Sequence, residues 1–465
     1  MAAPTTAVPN SAVSIRPRAV LVILSTAVFM VSLDLFIVNV ALNALGRDLH
    51  SNSLADLSWV LNAYAIVYAA LLVPAGRLAD RFGRKGGFLA GLAMFAVASL
   101  GCALSGALWM LVAFRGLQAA GAALLTPASL ALLLQVTPPA NRASAVRVWA
   151  ASGSLAAALG PVVGGLLVEA SWRWIFLINL PIGMAALAAA VILVPGSDAG
   201  DERRAPLPDL LGGAVLIVSI GSLSTGLVKA PDWGWASGRT IAILVFSAAA
   251  LGLFLLRSRR HPAPVIDLPL LRHHTFAWSN ATALLFSAAF AANLLSVVLW
   301  LEQIWGWSAL KTGLAVAPGP LMVPLFAVVG HRLTRRYPVG VITATGSLLL
   351  GVGTVMILSA VGTHSSYAAD LLPGWLVGGV GVGLTLPTIM SSATSGLAAH
   401  QAATGSAVVS MARQVGAVLG ISVLVAVLAA GDGPSAFRHA WWVIAGISLA
   451  ATATALRTSP TPSDS

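Results

Sequence analysis

Apolar residues in this chain come in long uncharged runs, not in stripes or alternations. Fourteen runs stand out, at roughly 19–43, 57–76, 87–106, 108–134, 144–168, 174–194, 210–228, 240–256, 275–301, 312–331, 340–361, 370–392, 403–429 and 438–456. Each holds roughly twenty residues, enough to cross a hydrocarbon core of about 30 Å at about 1.5 Å per residue. The period-two alternation of barrel strands is missing, and the helix is the other structure that satisfies its own backbone in lipid. The pattern predicts an all-α integral membrane protein with about fourteen transmembrane helices. Runs 7 and 8 decide between fourteen and twelve. Both are free of charge, and Pro231-Asp-Trp-Gly-Trp235 between them predicts a turn carrying interfacial tryptophans. If only one run crossed, every later loop would change sides.

Polar positions between the runs orient them. With both termini placed in the cytoplasm, eighteen of the 26 Lys and Arg fall inside and six outside. That is the bias of the positive-inside rule. The first run contains Asp34 and is too long for a signal-peptide core, so it is expected to be a spanning helix in a bacterial-type inner membrane.

Composition then closes off other classes. The chain is 58% hydrophobic and 9% charged, with a mean hydropathy of +0.90; a soluble domain carries about a quarter of its residues charged. The net charge of +11 lies in short loops, where topology explains it, so a nucleic-acid partner is not expected. Cys102 is the single cysteine, which rules out an intramolecular disulfide or a cysteine zinc site. No phosphate-binding loop followed by Lys-Ser/Thr occurs, and Gly378-Gly-Val-Gly-Val-Gly383 lies inside a run, where close helix packing is the better reading. His273-His274 has no partners at metal-ligand spacing. No cofactor is expected, and a membrane enzyme would need a carboxylate cluster that the runs lack.

A repeat is legible at two offsets. Arg77-Leu-Ala-Asp-Arg-Phe-Gly83 aligns with Arg332-Leu-Thr-Arg-Arg-Tyr-Pro338 at 255 residues, and Gly121-Ala-Ala-Leu-Leu-Thr-Pro127 with Gly381-Val-Gly-Leu-Thr-Leu-Pro387 at 260. Two related six-helix bundles, 1–194 and 275–465, are therefore expected around an inserted helix pair, 195–274, with a substrate site between the halves. Leu33-Asp-Leu-Phe-Ile-Val-Asn-Val-Ala-Leu42 resembles the first-helix signature of the fourteen-span drug:proton antiporters of the major facilitator superfamily. Gly76-Arg-Leu-Ala-Asp-Arg-Phe-Gly-Arg-Lys85, Arg115-Gly-Leu-Gln-Ala-Ala-Gly121, and Leu159-Gly-Pro-Val-Val-Gly-Gly165 with Trp172-Arg-Trp-Ile-Phe-Leu-Ile-Asn-Leu-Pro181 resemble further motifs of that family, in its order. The resemblance implies a proton-coupled exporter of small molecules. Proton-coupled uptake of a nutrient is the alternative, and the antiporter motif Gly160, Pro161, Gly164, Gly165 speaks against it. Small substrates, protons and lipid are the expected partners, and a monomer the expected state.

The resemblance also implies a conformational latch at Gly76, Asp80, Arg81, Gly83 and Arg84. The glycines permit a tight turn, and Asp80 can pair with an arginine or cap a helix; topology alone would explain the basic residues but not the acid. Charges inside the runs are the sharpest signal, because an ion in a bilayer is costly and is usually paired or functional. Asp34 is the one carboxylate deep in a run, roughly 22 Å from its inner end, and Arg115 lies roughly 10 Å from the outer end of run 4. The two fall at similar depth, so an Asp34–Arg115 pair is geometrically open. A proton on Asp34 would release Arg115, which makes the pair a candidate coupling switch, with a permanent structural pair as the plainer alternative. Candidate cavity residues are Asn39, Asn62, Tyr64, Tyr68, Gln118, Glu302 and Arg413. Of these, Glu302 reads as a rim residue more than a second proton carrier, and the tyrosines could equally be packing.

Overall fold

A computed structural model describes residues 17–51, 53–196, 206–395, 397 and 399–458. Arg16, Arg203 and Arg204, which the charge count places inside, lie outside the described residues. Fourteen of its helices are long and apolar enough to span a membrane. They are α1 (Pro17–Asp48), α2 (Leu54–Phe82), α3 (Arg84–Ala103), α4 (Leu108–Val136), α5 (Pro139–Ala170), α6 (Trp174–Leu193), α7 (Leu210–Trp233), α8 (Gly238–Arg260), α9 (His274–Ile304), α10 (Ala309–Leu333), α11 (Val339–Ala360), α12 (Tyr367–Ser395), α13 (Thr404–Ala429) and α14 (Gly433–Leu456). Most overrun the apolar runs by about a turn, because a helix continues through the polar interface once lipid has fixed its middle. The turn expected over Pro231–Trp235 falls at the far end of that segment. α7 continues through that proline to Trp233 and reverses at Gly234, whose φ is 88°. A proline in the last turn costs one backbone hydrogen bond, too little to stop the helix sooner.

The first six and last six helices pack by one scheme. In the first set α3 lies against α4, α2 against α4, α1 against α5 and α6, and α3 against α6; adding eight to each number gives the neighbours in the second set. The sequence offsets have a physical counterpart. Gly91 on α3 and Gly121 on α4 meet so closely that a Cβ on either would lie 2.8 Å from the other's carbonyl oxygen. Gly346 and Gly381, displaced by 255 and 260 residues, form the same contact between α11 and α12. Small residues are what allow helix backbones to approach in lipid. The same reading covers the glycine run of α12, where a Cβ on Gly379 would strike Gly319 and one on Gly383 would lie 2.8 Å from Phe326 Cβ.

Between the sets, α5 packs on α10 and α13 packs on α2, again by the repeat. The inserted pair is not symmetric in its burial: 44% of the α7 apolar window is buried but only 22% of that of α8. α7 runs antiparallel along α2 from Asp56 to Pro74. Gly213 faces the Ala70 carbonyl, Ser224 accepts a hydrogen bond from Asn62 at 3.2 Å, and Lys229 pairs with Asp56 at 2.8 Å. Ser224 also lies 2.8 Å from Ser422 of α13. One serine of the insert thus touches both halves.

Candidate functional site

The polar centre of the first half is built on five helices. α1 contributes Asp34 in its middle, between Leu33 and Leu35. The acid is fully buried, as is its partner Arg115 on α4, whose Nη1 lies 2.5 Å from Asp34 Oδ2. Gln118, one turn further along α4, accepts from Arg115 Nη1 at 2.7 Å and donates from Nε2 to Asp34 Oδ1 at 2.8 Å. Asn179 of α6 donates to the same oxygen at 3.0 Å, and Ser99 of α3 holds Gln118 Nε2 at 2.7 Å. From α2, the Val60 carbonyl accepts from Arg115 Nε at 3.1 Å. The Tyr64 ring lies under the guanidinium, 4.3 Å from its centroid, and Phe176 lies 5.8 Å away on another side. A buried ion pair survives desolvation only with hydrogen bonds of this kind around it, and Arg over an aromatic face adds a further attraction. Arg115 Nη2 is the one part of the pair left buried without a partner.

The structure therefore brings Asp34, Arg115, Gln118 and Tyr64 together, but within the first half and not in a cleft between halves. Gln118, expected among cavity residues, is fully buried in the acid's network. Asn179 and Ser99 were not among the candidates. Asn179 stands in the Trp172–Pro181 motif as an amide in an apolar run, and that was a usable signal; Ser99 had none. Tyr68 stacks on Tyr64 at 6.0 Å between centroids and 12° between planes. Asn39 turns back to its own helix, donating to the carbonyls of Leu35 (3.3 Å) and Phe36 (3.1 Å) where α1 tightens to a 3₁₀ segment. Asn62, also expected in a cavity, is fully buried and faces Ser224 and Ser422 instead.

The Gly160–Gly165 segment sits directly behind the acid. A Cβ on Gly160 would lie 2.7 Å from Phe36 Cβ, and one on Gly164 would lie 2.8 Å from the Ile37 carbonyl, so α5 presses on α1 within a turn of Asp34. Its other edge meets the second half: a Cβ on Gly165 would lie 2.5 Å from the Ala309 carbonyl, and Gly313 of α10 lies on the Pro161 carbonyl. The same end of the bundle is tied again by Glu302. Its Oε2 accepts from Asn43 Nδ2 of α1 at 2.6 Å, while Oε1 is buried without a partner in a π-helical turn, Trp300–Ile304. Glu302 thus lies at the rim, as a bond between halves. At the basic end, Gly83 takes φ 107° to turn α2 into α3, and a Cβ on Gly76 would lie 3.3 Å from Pro127. Asp80 pairs with Arg84 at 2.7 Å across one turn, both partly exposed, and Arg77 donates to the Pro264 carbonyl beyond α8 at 2.7 Å. Among the described residues no group of His, Cys, Asp and Glu could hold a metal ion.

A fourteen-span helical bundle with repeated halves and an ion pair sealed inside one of them has the architecture of a secondary transporter. The chain belongs to the Major Facilitator Superfamily, whose profile matches residues 24–421, and it is a transporter, not an enzyme. It is 34% identical over 439 residues to the tetracenomycin C resistance and export protein of Streptomyces glaucescens, covering 93% of this chain and 80% of that one. It is 30% identical to the methylenomycin A resistance protein of Streptomyces coelicolor, covering 87% and 84%. Among solved structures, a peptide transporter of the POT family bound to sulfate shares the fold with a TM-score of 0.68 at 18% identity, covering 94% and 93% of the two chains.

Proposed function

We propose that this protein exports drug-like or natural-product molecules from the cytoplasm across a bacterial inner membrane in exchange for protons, with both termini inside. The observation that carries the reading is the Asp34–Arg115 pair, a titratable group in the membrane middle held by a network that a proton would loosen. Relatives named for antibiotic resistance and export support the direction, as does the antiporter motif pressed between Asp34 and the second half. Residues 1–194 and 275–465 rock against each other, with 195–274 at their seam, and one copy carries the whole pathway. The contacts at Glu302, Gly165 and Gly313 support a state closed toward the outside. At the inner end, Asp80 and Arg84 act as the latch, exchanging their local pair for one across the halves as the carrier turns over.

Vesicles with imposed pH gradients of either sign test the direction. Acid outside should drive a cytoplasmic fluorescent drug out against its concentration gradient. Accumulation on the cytoplasmic side under the same gradient would show uptake instead.

A further inference from the structure

Arg413 is the second arginine deep in the membrane, and nothing in the exchange described so far uses it. It lies near the middle of α13, its Nε is buried, and it has no hydrogen-bond or ion-pair partner among the described residues. An arginine remains charged in a protein, so this charge is left without a counter-ion in a region where ions are almost always paired. The deep acid cannot serve, because Asp34 is enclosed with Arg115 inside the first half.

The register of α13 shows which way the side chain leaves its helix. Gly420, two turns on and on the same face, lies on Ala288 of α9, and Gly416 lies on Leu284. Ser422 is half a turn round the helix and faces α7. Ser422 also holds Asn62 of α2, so Arg413 leaves α13 on the side of α9, with the Tyr68 hydroxyl of α2 within electrostatic reach. The 132-residue offset of the two glycine contacts puts Arg413 level with Ala281 of α9. Beside it is Asn280, whose Oδ1 is also buried without a partner. A free cation and an unused acceptor thus lie at one level of the α9–α13 pair, with a tyrosine stack of α2 nearby.

We infer that Arg413 binds the negatively charged group of the substrate, so that the preferred cargo is an organic anion with a flat apolar body. This inference rests on the export reading above. The Tyr68 ring offers the flat surface, and Asn280 Oδ1 can accept from a hydroxyl on the same molecule. Tyr64 and Tyr68 connect this site to Arg115, since Tyr64 carries that guanidinium on its face and Tyr68 on its flank. A chloride ion could satisfy the same arginine, and the test separates the two.

Three pyrene probes of equal shape, the 1-carboxylate, the 1-carboxamide and a methyltrimethylammonium derivative, are offered to the full-length protein in proteoliposomes with a pH gradient. The wild type should export the carboxylate faster than the amide by about tenfold, the worth of one charge-assisted hydrogen bond, and the cation least. Arg413→Gln should bring the carboxylate-to-amide ratio within about twofold, and Arg413→Lys should keep most of the preference. Replacing chloride by gluconate should leave the wild-type ratio unchanged. Export of the cation at or above the carboxylate rate, or a ratio indifferent to Arg413→Gln, overturns the anion site while leaving export intact. A preference that appears only when chloride is removed shows an inorganic counter-ion alone and also overturns it. No gradient-driven export of any probe overturns the export reading and this one with it.

Discussion

Asp34 is held by one cation and two amides, and each can be removed separately. Asp34→Asn keeps size and hydrogen bonding but takes away the titratable group, so pH-driven concentration of substrate should fall to the passive level while substrate binding, followed by fluorescence, persists. Arg115→Ala should also abolish export. It leaves a buried carboxylate unpaired, and breaking such a pair costs about 3–5 kcal/mol, so a lower melting temperature should accompany the loss. Glu302→Gln preserves an acceptor for Asn43 and should retain at least part of the activity. If Asp34→Asn still exports uphill while Glu302→Gln does not, the coupling acid is Glu302. At this scale the sequence was informative where charge interrupts apolar runs, as at Asp34, Arg115 and Arg413. It was silent where the partner is a serine or an asparagine, because Ser99 and Asn43 look like any small polar residue in a span. Burial in an internal network rather than a cavity was equally hidden, since a residue's depth along a helix says nothing about which face it occupies.

Helix α5 approaches α1 and α10 through glycines, at the end of the bundle where Asn43 also meets Glu302. Gly165→Val would push a methyl pair into the Ala309–Leu310 backbone, and overpacking of this sort costs about 1–3 kcal/mol. The closed arrangement should lose population, so a cysteine at Thr312, fully buried here, should become reactive to an impermeant maleimide while transport slows. Unchanged reactivity would mean that the α5–α10 contact does not close the seam. The inserted pair has its own test. Asp232 is exposed at the end of α7, and Asp232→Cys in a Cys102→Ser background should label from outside. Labelling only from inside would contradict fourteen crossings. Existence and order of the helices were legible because lipid demands long apolar runs. The residue at which α7 ends was not, because Pro231–Trp235 marks a turn without saying which of its residues reverses the chain, and a proline in the last turn costs only one backbone hydrogen bond.

At the scale of the molecule, the two halves are joined at one end by Asn43–Glu302, by Gly165 on Ala309 and by Asn62–Ser422. Exchange between inside and outside must separate these together. Cysteines at Asn43 and Glu302, bridged by a short bis-methanethiosulfonate, should arrest transport, and reduction should restore it; transport that continues through the bridge would show that this end does not open. The repeat that organises the halves could be read at its two offsets because short motifs recur there, and one of them carries Gly121 and Gly381, each pressed on a glycine of the neighbouring helix. The seam could not be read, because its residues belong to segments hundreds of positions apart and share no pattern.

The path of α7 along α2 bears on how the chain is assembled as it is made. α2 leaves the ribosome first, α7 after it, and α13 long afterwards. If α7 docks in the order of synthesis, Lys229 on Asp56 and Gly213 on Ala70 would set its register, placing Ser224 beside Asn62 ahead of Ser422. The late helix would then meet a groove whose polar wall, Asn62 and Ser224, is already in place. In this account the inserted pair is a template for the second half, and a nascent chain without it would have to find the seam by collision.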